Sequence, residues 1–81
     1  MKGFSYVYIL ESLGVPDHYY IGLSDDPSAR LTKHNQGGVS HTAKHRPWEI
    51  KTATAFRERS RAAAFEAYLK SPSGRAFAKK R

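Results

Sequence analysis

The segment from Phe4 to Leu10 alternates without a break. Phe4, Tyr6, Tyr8 and Leu10 fall on one face of an extended chain, and Ser5, Val7 and Ile9 on the other. Both faces carry large β-forming side chains, so this strand is expected at the centre of a sheet, apolar on both sides. The chain has 81 residues, room for one modest core, and no cysteine, so neither disulfides nor a thiolate zinc site can assist. Packing has to carry the fold, as one domain over residues 1–81.

The remaining elements follow from punctuation and periodicity. Gly14, Pro16 and Asp17 form a turn, after which His18 to Leu23 returns as a second strand and closes a hairpin. Asp25 or Asp26 can cap a helix that starts at Pro27, runs to Asn35 and stops at Gly37-Gly38. Gly37 to Pro47 reads as a polar loop. Trp48 to Phe56 then resumes alternation, with Trp48, Ile50, Thr52, Thr54 and Phe56 expected on one face of a third strand. Ser60 is expected to cap a second long helix through Lys70, and Ser71-Pro72 to open a short basic one ending in Lys79-Lys80-Arg81. The resulting class is α+β, a small sandwich with a three-stranded antiparallel sheet flanked by helices.

Lys and Arg number 14 against 7 Asp and Glu, a net charge of +7 that suits a polyanionic partner such as nucleic acid. No apolar stretch near the N-terminus is long enough for a signal peptide or a membrane span, so a cytoplasmic protein without a membrane partner is expected. The clusters Arg57, Arg59, Arg61 and Lys79, Lys80, Arg81 are each suited to tracking a nucleic-acid backbone, though not to specifying bases.

Glu66 is the most telling single residue. Ala62, Phe65 and Leu69 mark the apolar stripe of its helix, and an acid on that stripe either snorkels outward, pairs with an arginine, or faces a pocket and holds a hard divalent cation. Arg30 and His34 are four apart on the first helix and project from one face. A guanidinium suits two phosphate oxygens, and an imidazole can relay a proton. Arbitrary chains usually place such a pair on a solvated face.

Tyr8 and Tyr20 lie on the two strands of the hairpin, where both phenols can point to one side. Gly22 beside them either leaves the backbone open to a ligand or marks a bulge or strand end. His41 and His45 sit among Lys44 and Arg46 without a carboxylate or cysteine to complete a metal set, which points to phosphate contact or solvation rather than zinc.

Taken in order, Tyr6-Val7-Tyr8, Tyr20-Ile21-Gly22, Arg30, His34 and Glu66 resemble the GIY-YIG nuclease superfamily. The run His34-Asn35, Gly38, Thr42 and Arg46-Pro47-Trp48 resembles its small bacterial members, of the kind of the excinuclease nuclease domain. The similarity extends over nearly the whole chain. It implies cleavage of nucleic-acid phosphodiesters with one Mg²⁺ or Mn²⁺. Tyr8 or Tyr20 would help activate the attacking water, Arg30 would hold the scissile phosphate, His34 would assist, and Glu66 would bind the metal.

Arg30, Lys33, Lys44 and Arg46 are the cations expected on nucleic acid. The chain departs from the family pattern at Tyr6, where the first motif has glycine, and at Ala78, where many relatives carry asparagine. The expectation is a structure-directed or weakly specific DNA endonuclease of repair or recombination, with a protein partner as a source of specificity. Its alternatives are a non-catalytic basic nucleic-acid-binding module of the same fold and an interaction protein that docks on a larger partner.

Overall fold

A computed structural model describes residues 3–80. Met1 and Lys2 lie outside the described residues, as does Arg81 of the C-terminal basic cluster. The elements run β1 (Ser5–Ser12), β2 (Tyr19–Ser24), α1 (Pro27–Asn35), α2 (Ser40–Ala43), β3 (Trp48–Phe56), α3 (Arg59–Leu69) and α4 (Pro72–Lys80). Both pairings are antiparallel and the strand order is β2-β1-β3, so the strand with two apolar faces is the central one.

Each face of β1 builds its own core. Val7 and Ile9 pack with Ala62, Leu69 and Ala78 from α3 and α4, and Ile21, Leu23 and Phe56 complete that layer. On the opposite face Tyr8, Leu10 and Trp48 are covered by Leu31 of α1, with Tyr20 and Ile50 alongside. The α+β sandwich expected from the alternation is therefore present, with α1 on one side of the sheet and α3 and α4 on the other.

Sequence reasoning placed the alternating residues of β3 on one face, and the register corrects this. Ile9 pairs with Thr52 but Leu10 pairs with Ile50, so Lys51 is an extra residue in a β-bulge. Trp48 and Ile50 stay on the Tyr8 face, whereas beyond the bulge Thr52, Thr54 and Phe56 lie opposite Ile9, Val7 and Ser5. The extra residue also has a task. The Lys51 ammonium donates to the carbonyls of Ala78 (3.0 Å) and Lys79 (2.9 Å) and stands 4.9 Å from the centre of the Tyr19 ring, tying the end of α4 to the sheet.

The helix ends show which caps the chain uses. Asp26 caps α1, its side chain accepting from Ala29 N at 3.1 Å. At the other end Gly37 N bonds His34 O and Gly38 N bonds Lys33 O, a Schellman stop that needs the positive φ of +79° at Gly37. The polar loop that follows contains a turn of helix, α2, that the sequence pattern did not announce. Ser60 proves to lie inside α3. Glu58 is the N-cap and makes no side-chain capping bond, so Arg59 and Arg61 are helical residues too. Ser71 and Pro72 open α4 as expected, with Gly74 N donating to the Ser71 hydroxyl at 3.3 Å. Among the described residues no helix is long and apolar enough to cross a membrane.

Gly22 is a packing requirement rather than an opening for a ligand or a bulge. It is the cross-strand partner of Tyr8, and a Cβ built on it would lie 2.5 Å from both Cζ and the hydroxyl oxygen of the Tyr8 ring. The tyrosine lies over bare backbone because no side chain is there. Gly22→Ala is expected to cost about 1–3 kcal/mol by overpacking, read as a lower urea midpoint. The cost should shrink in a Tyr8→Leu background, and a double-mutant cycle measures that coupling.

Candidate active site

Four of the five residues singled out for chemistry converge. Tyr8 and Tyr20 project from adjacent strands on one face, their ring centres 6.2 Å apart, and His34 of α1 packs 4.6 Å from the Tyr20 ring and 6.3 Å from the Tyr8 ring. The Arg30 guanidinium, one helical turn before His34, lies close enough to the Tyr8 and Tyr20 phenols for them to favour its charged form. The solvated-face reading of Arg30 and His34 fails because α1 turns this stripe onto the sheet. His34 is wholly buried at 0% exposure, and Arg30 is half-buried.

The protonation of His34 follows from its neighbours. The Thr42 hydroxyl donates to the Val39 carbonyl at 3.1 Å, so toward His34 Nδ1, 2.9 Å away, it acts as acceptor. Nδ1 therefore carries the proton, and Nε2 accepts from the Tyr8 phenol at 3.3 Å. Burial holds the His34 pKa below the usual histidine value, and the nearby Arg30, His41 and Lys33 lower it further, so the imidazole is neutral. Burial raises the Tyr8 pKa. Arg30 opposes that rise, while Tyr20 and Glu66 add to it. The resting arrangement is a neutral phenol aimed at a neutral imidazole, with a guanidinium beside them.

Thr42 had carried the family resemblance without a role, and the structure shows it to be the orienting partner of His34. Around it the Asn35 amide brackets Trp48, accepting from Trp48 N (2.7 Å) and donating to Trp48 O (3.0 Å), while Trp48 Nε1 donates to Thr42 O at 3.0 Å. These bonds lock α1, α2 and the start of β3 around the imidazole. The available signal was the run of Asn, Thr and Trp close to a histidine, but the bonds cross 6 to 13 residues of loop. Among the described residues no buried side-chain N or O atom lacks a partner.

Glu66 lies on α3, with its side chain 23% exposed and close enough for its charge to act on Tyr8. It pairs with Lys70, one turn along, at 3.2 Å, so its ion-pair partner is a lysine and not the arginine of the sequence reading. Among the described residues no group of three or more His, Cys, Asp and Glu gathers as a metal nest. A lone, partly open carboxylate is still a fitting donor for Mg²⁺ or Mn²⁺, which take few protein oxygens beside water and phosphate. The donor set thus fits the cation that the resemblance implies.

Of the other expected nucleic-acid contacts, Lys33, Lys44 and Arg46 are all exposed. Arg46 Nε donates to Ala43 O at 2.6 Å, and its guanidinium lies against Gly37, so this residue also holds its own loop. His41 is exposed, 5.4 Å from the Tyr20 ring, while His45 stacks on His18 with ring centres 4.4 Å apart. Ala78, at the position where an asparagine was noted as missing, is a core residue at 4% exposure.

An α+β sandwich that buries a Tyr-His pair beside an arginine, with a carboxylate on the opposing helix, defines a class of small catalytic domain. The chain belongs to the GIY-YIG family, the GIY-YIG catalytic domain matching residues 4–81. It is 40% identical over 65 residues to structure-specific endonuclease subunit slx1 of Talaromyces marneffei, covering 73% of this chain and 17% of that protein. It is also 41% identical over 49 residues to structure-specific endonuclease subunit SLX1 of Kluyveromyces lactis, covering 53% of this chain and 17% of that protein. The match thus spans about a sixth of either relative's length. No solved structure matches the chain at comparable significance.

Neutral His34 makes stability depend on pH. Its folded pKa lies below the unfolded value of about 6.5, so below that pH the unfolded chain binds the proton first and stability falls as pH drops. Burial, His18 and Lys44 also lower His45, which adds a contribution of the same sign. His34→Gln keeps the hydrogen-bonding groups and cannot titrate. Urea midpoints taken between pH 7.5 and 5.5 should fall less steeply in the variant than in the parent.

Proposed function

We infer that the protein is a divalent-metal-dependent endonuclease that hydrolyses phosphodiester bonds in DNA. The observation that carries this reading is the Tyr8–His34 bond, whose direction is set by Thr42 and which lies against the Arg30 guanidinium. Membership of the GIY-YIG catalytic domain family and the naming of two relatives as subunits of structure-specific endonucleases support it. The same names favour a substrate recognised by shape and a protein partner that supplies specificity.

In this mechanism Arg30 binds non-bridging phosphate oxygens and neutralises the charge that grows on them. Its shift toward the phosphate opens the Tyr8 phenol to water. The attacking water passes a proton to the Tyr8 oxygen as the phenol proton moves to His34 Nε2, so the proton ends on the imidazole. Tyr8 takes this role rather than Tyr20 because its hydroxyl is bonded to His34, while the Tyr20 ring packs on the imidazole and helps to orient it. Glu66 would hold the metal ion, which supplies charge stabilisation at the phosphate and the leaving oxygen. Exposed Lys33, Lys44 and Arg46 would hold neighbouring phosphates.

The test is cleavage of labelled single-stranded, duplex, flapped and four-way-junction DNA in Mg²⁺, Mn²⁺ or EDTA. Arg30→Ala and Glu66→Ala should each lower kcat by about 10²–10³-fold, and EDTA should abolish cutting. His34→Ala should cost about 10²-fold or more. Because activity needs a neutral imidazole, the acid limb of the parent's pH profile should lie below pH 6.5. Metal-independent DNA binding that survives Glu66→Ala, without turnover, would replace this reading with the non-catalytic binding module.

A further inference from the structure

Beside the tyrosine pair, the exposed edge strand β2 forms the floor of a cleft of about 610 Å³. Lys70, Arg75 and Lys79 from the α3–α4 side line it together with His18, Tyr20 and His41, and Asp17 is its one acid. Neither the family match nor the proposed reaction gives Arg75 or Lys79 a task. Both lie with Ala78 on one face of α4, at i, i+3 and i+4, and Ala78 is buried while the two cations are exposed. Helix α4 is also anchored, because Lys51 holds the carbonyls of Ala78 and Lys79. The backbone that carries Arg75 and Lys79 is therefore held in place beside the sheet.

The composition of the cleft discriminates between forms of nucleic acid. A duplex hides its base faces and needs only cations from such a surface, whereas an unpaired strand needs cations for its phosphates and exposed rings for its bases. The cleft offers both, with the exposed ring of His41 5.4 Å from half-buried Tyr20. Building on the nuclease reading, we propose that this cleft holds a single-stranded DNA segment leading to the tyrosine pair. Its phosphates lie on Arg75, Lys79 and Lys70, and its bases stack on His41 and Tyr20. The cation wall of α4 is a substrate-binding surface separate from the reacting centre.

The experiment is fluorescence anisotropy with a 5′-labelled twelve-nucleotide oligo(dT) and a twelve-base-pair duplex, in EDTA over a salt series. The parent should bind the single strand more tightly than the duplex. The Arg75→Ala/Lys79→Ala variant should lose about tenfold in single-strand affinity and flatten the log K against log salt slope by about 1.4, two contacts at 0.7 each. His41→Ala should weaken the single strand about fivefold and leave the duplex unchanged. Thr54→Glu/Ala55→Glu lowers the net charge by the same amount at exposed positions on β3, the opposite edge of the sheet, and should keep most of the single-strand affinity. An equal loss in the two double variants, or a duplex bound as tightly as the single strand, would overturn the proposal. Binding is read without metal, so a failure to cut DNA in other assays would count against the reaction and not against the cleft.

Discussion

The site depends on one contact, the Tyr8 ring lying over the bare backbone of Gly22. That placement carries the Tyr8 hydroxyl to His34 Nε2 and joins the central strand to α1 through a buried polar bond. Thr42 then ties the other imidazole nitrogen to α2, and the bonds of Asn35 and Trp48 close the ring onto β3. A buried histidine without both partners would carry an unsatisfied polar atom at a cost of about 1–3 kcal/mol. The network that orients the imidazole is thus also what makes its burial tolerable. Structure and chemistry share the same atoms.

The electrostatics follow from that burial. Removing water from around Tyr8 and His34 favours the neutral form of each, and the cation of Arg30 pushes the tyrosine toward ionisation while pushing the histidine away from protonation. A phenol that resists losing a proton to solvent and an imidazole ready to take one make a matched pair. The carboxylate of Glu66 stands apart on the other helical layer, balanced by Lys70. The proton-handling groups are thus built on α1 and α2, while the carboxylate comes from α3.

Much of the fold was legible because its signals are local. The alternation of Phe4 to Leu10 marked a two-faced central strand, and Asp26-Pro27 and Gly37 bounded α1 through capping chemistry that acts within a few residues. The single-face reading of Trp48 to Phe56 failed because a bulge is specified by the partner strand, and Lys51 looks like any other residue of an alternating run. The helical turn α2 escaped notice in a loop rich in polar residues, where its stability comes from Thr42 and Trp48 and not from propensity. Ser60 was a reasonable cap by residue type, yet the end of β3 starts the helix earlier, at Arg59.

The chain alone was enough to establish the order of every element except α2, the helix stop at Gly37, the basic character and the identity of the residues that mark the family, since each rests on sequence pattern. Tertiary structure decided which of those residues act as a unit. Only the antiparallel register sets Tyr8 against Gly22, only the approach of α1 to that strand buries His34, and only the loop of α2 supplies the hydroxyl that fixes its proton. Hydrogen-bond direction and pKa depend on distance and on exclusion of water. Those are properties of groups brought together from 26 residues apart, as Tyr8 and His34 are, and no local pattern encodes them.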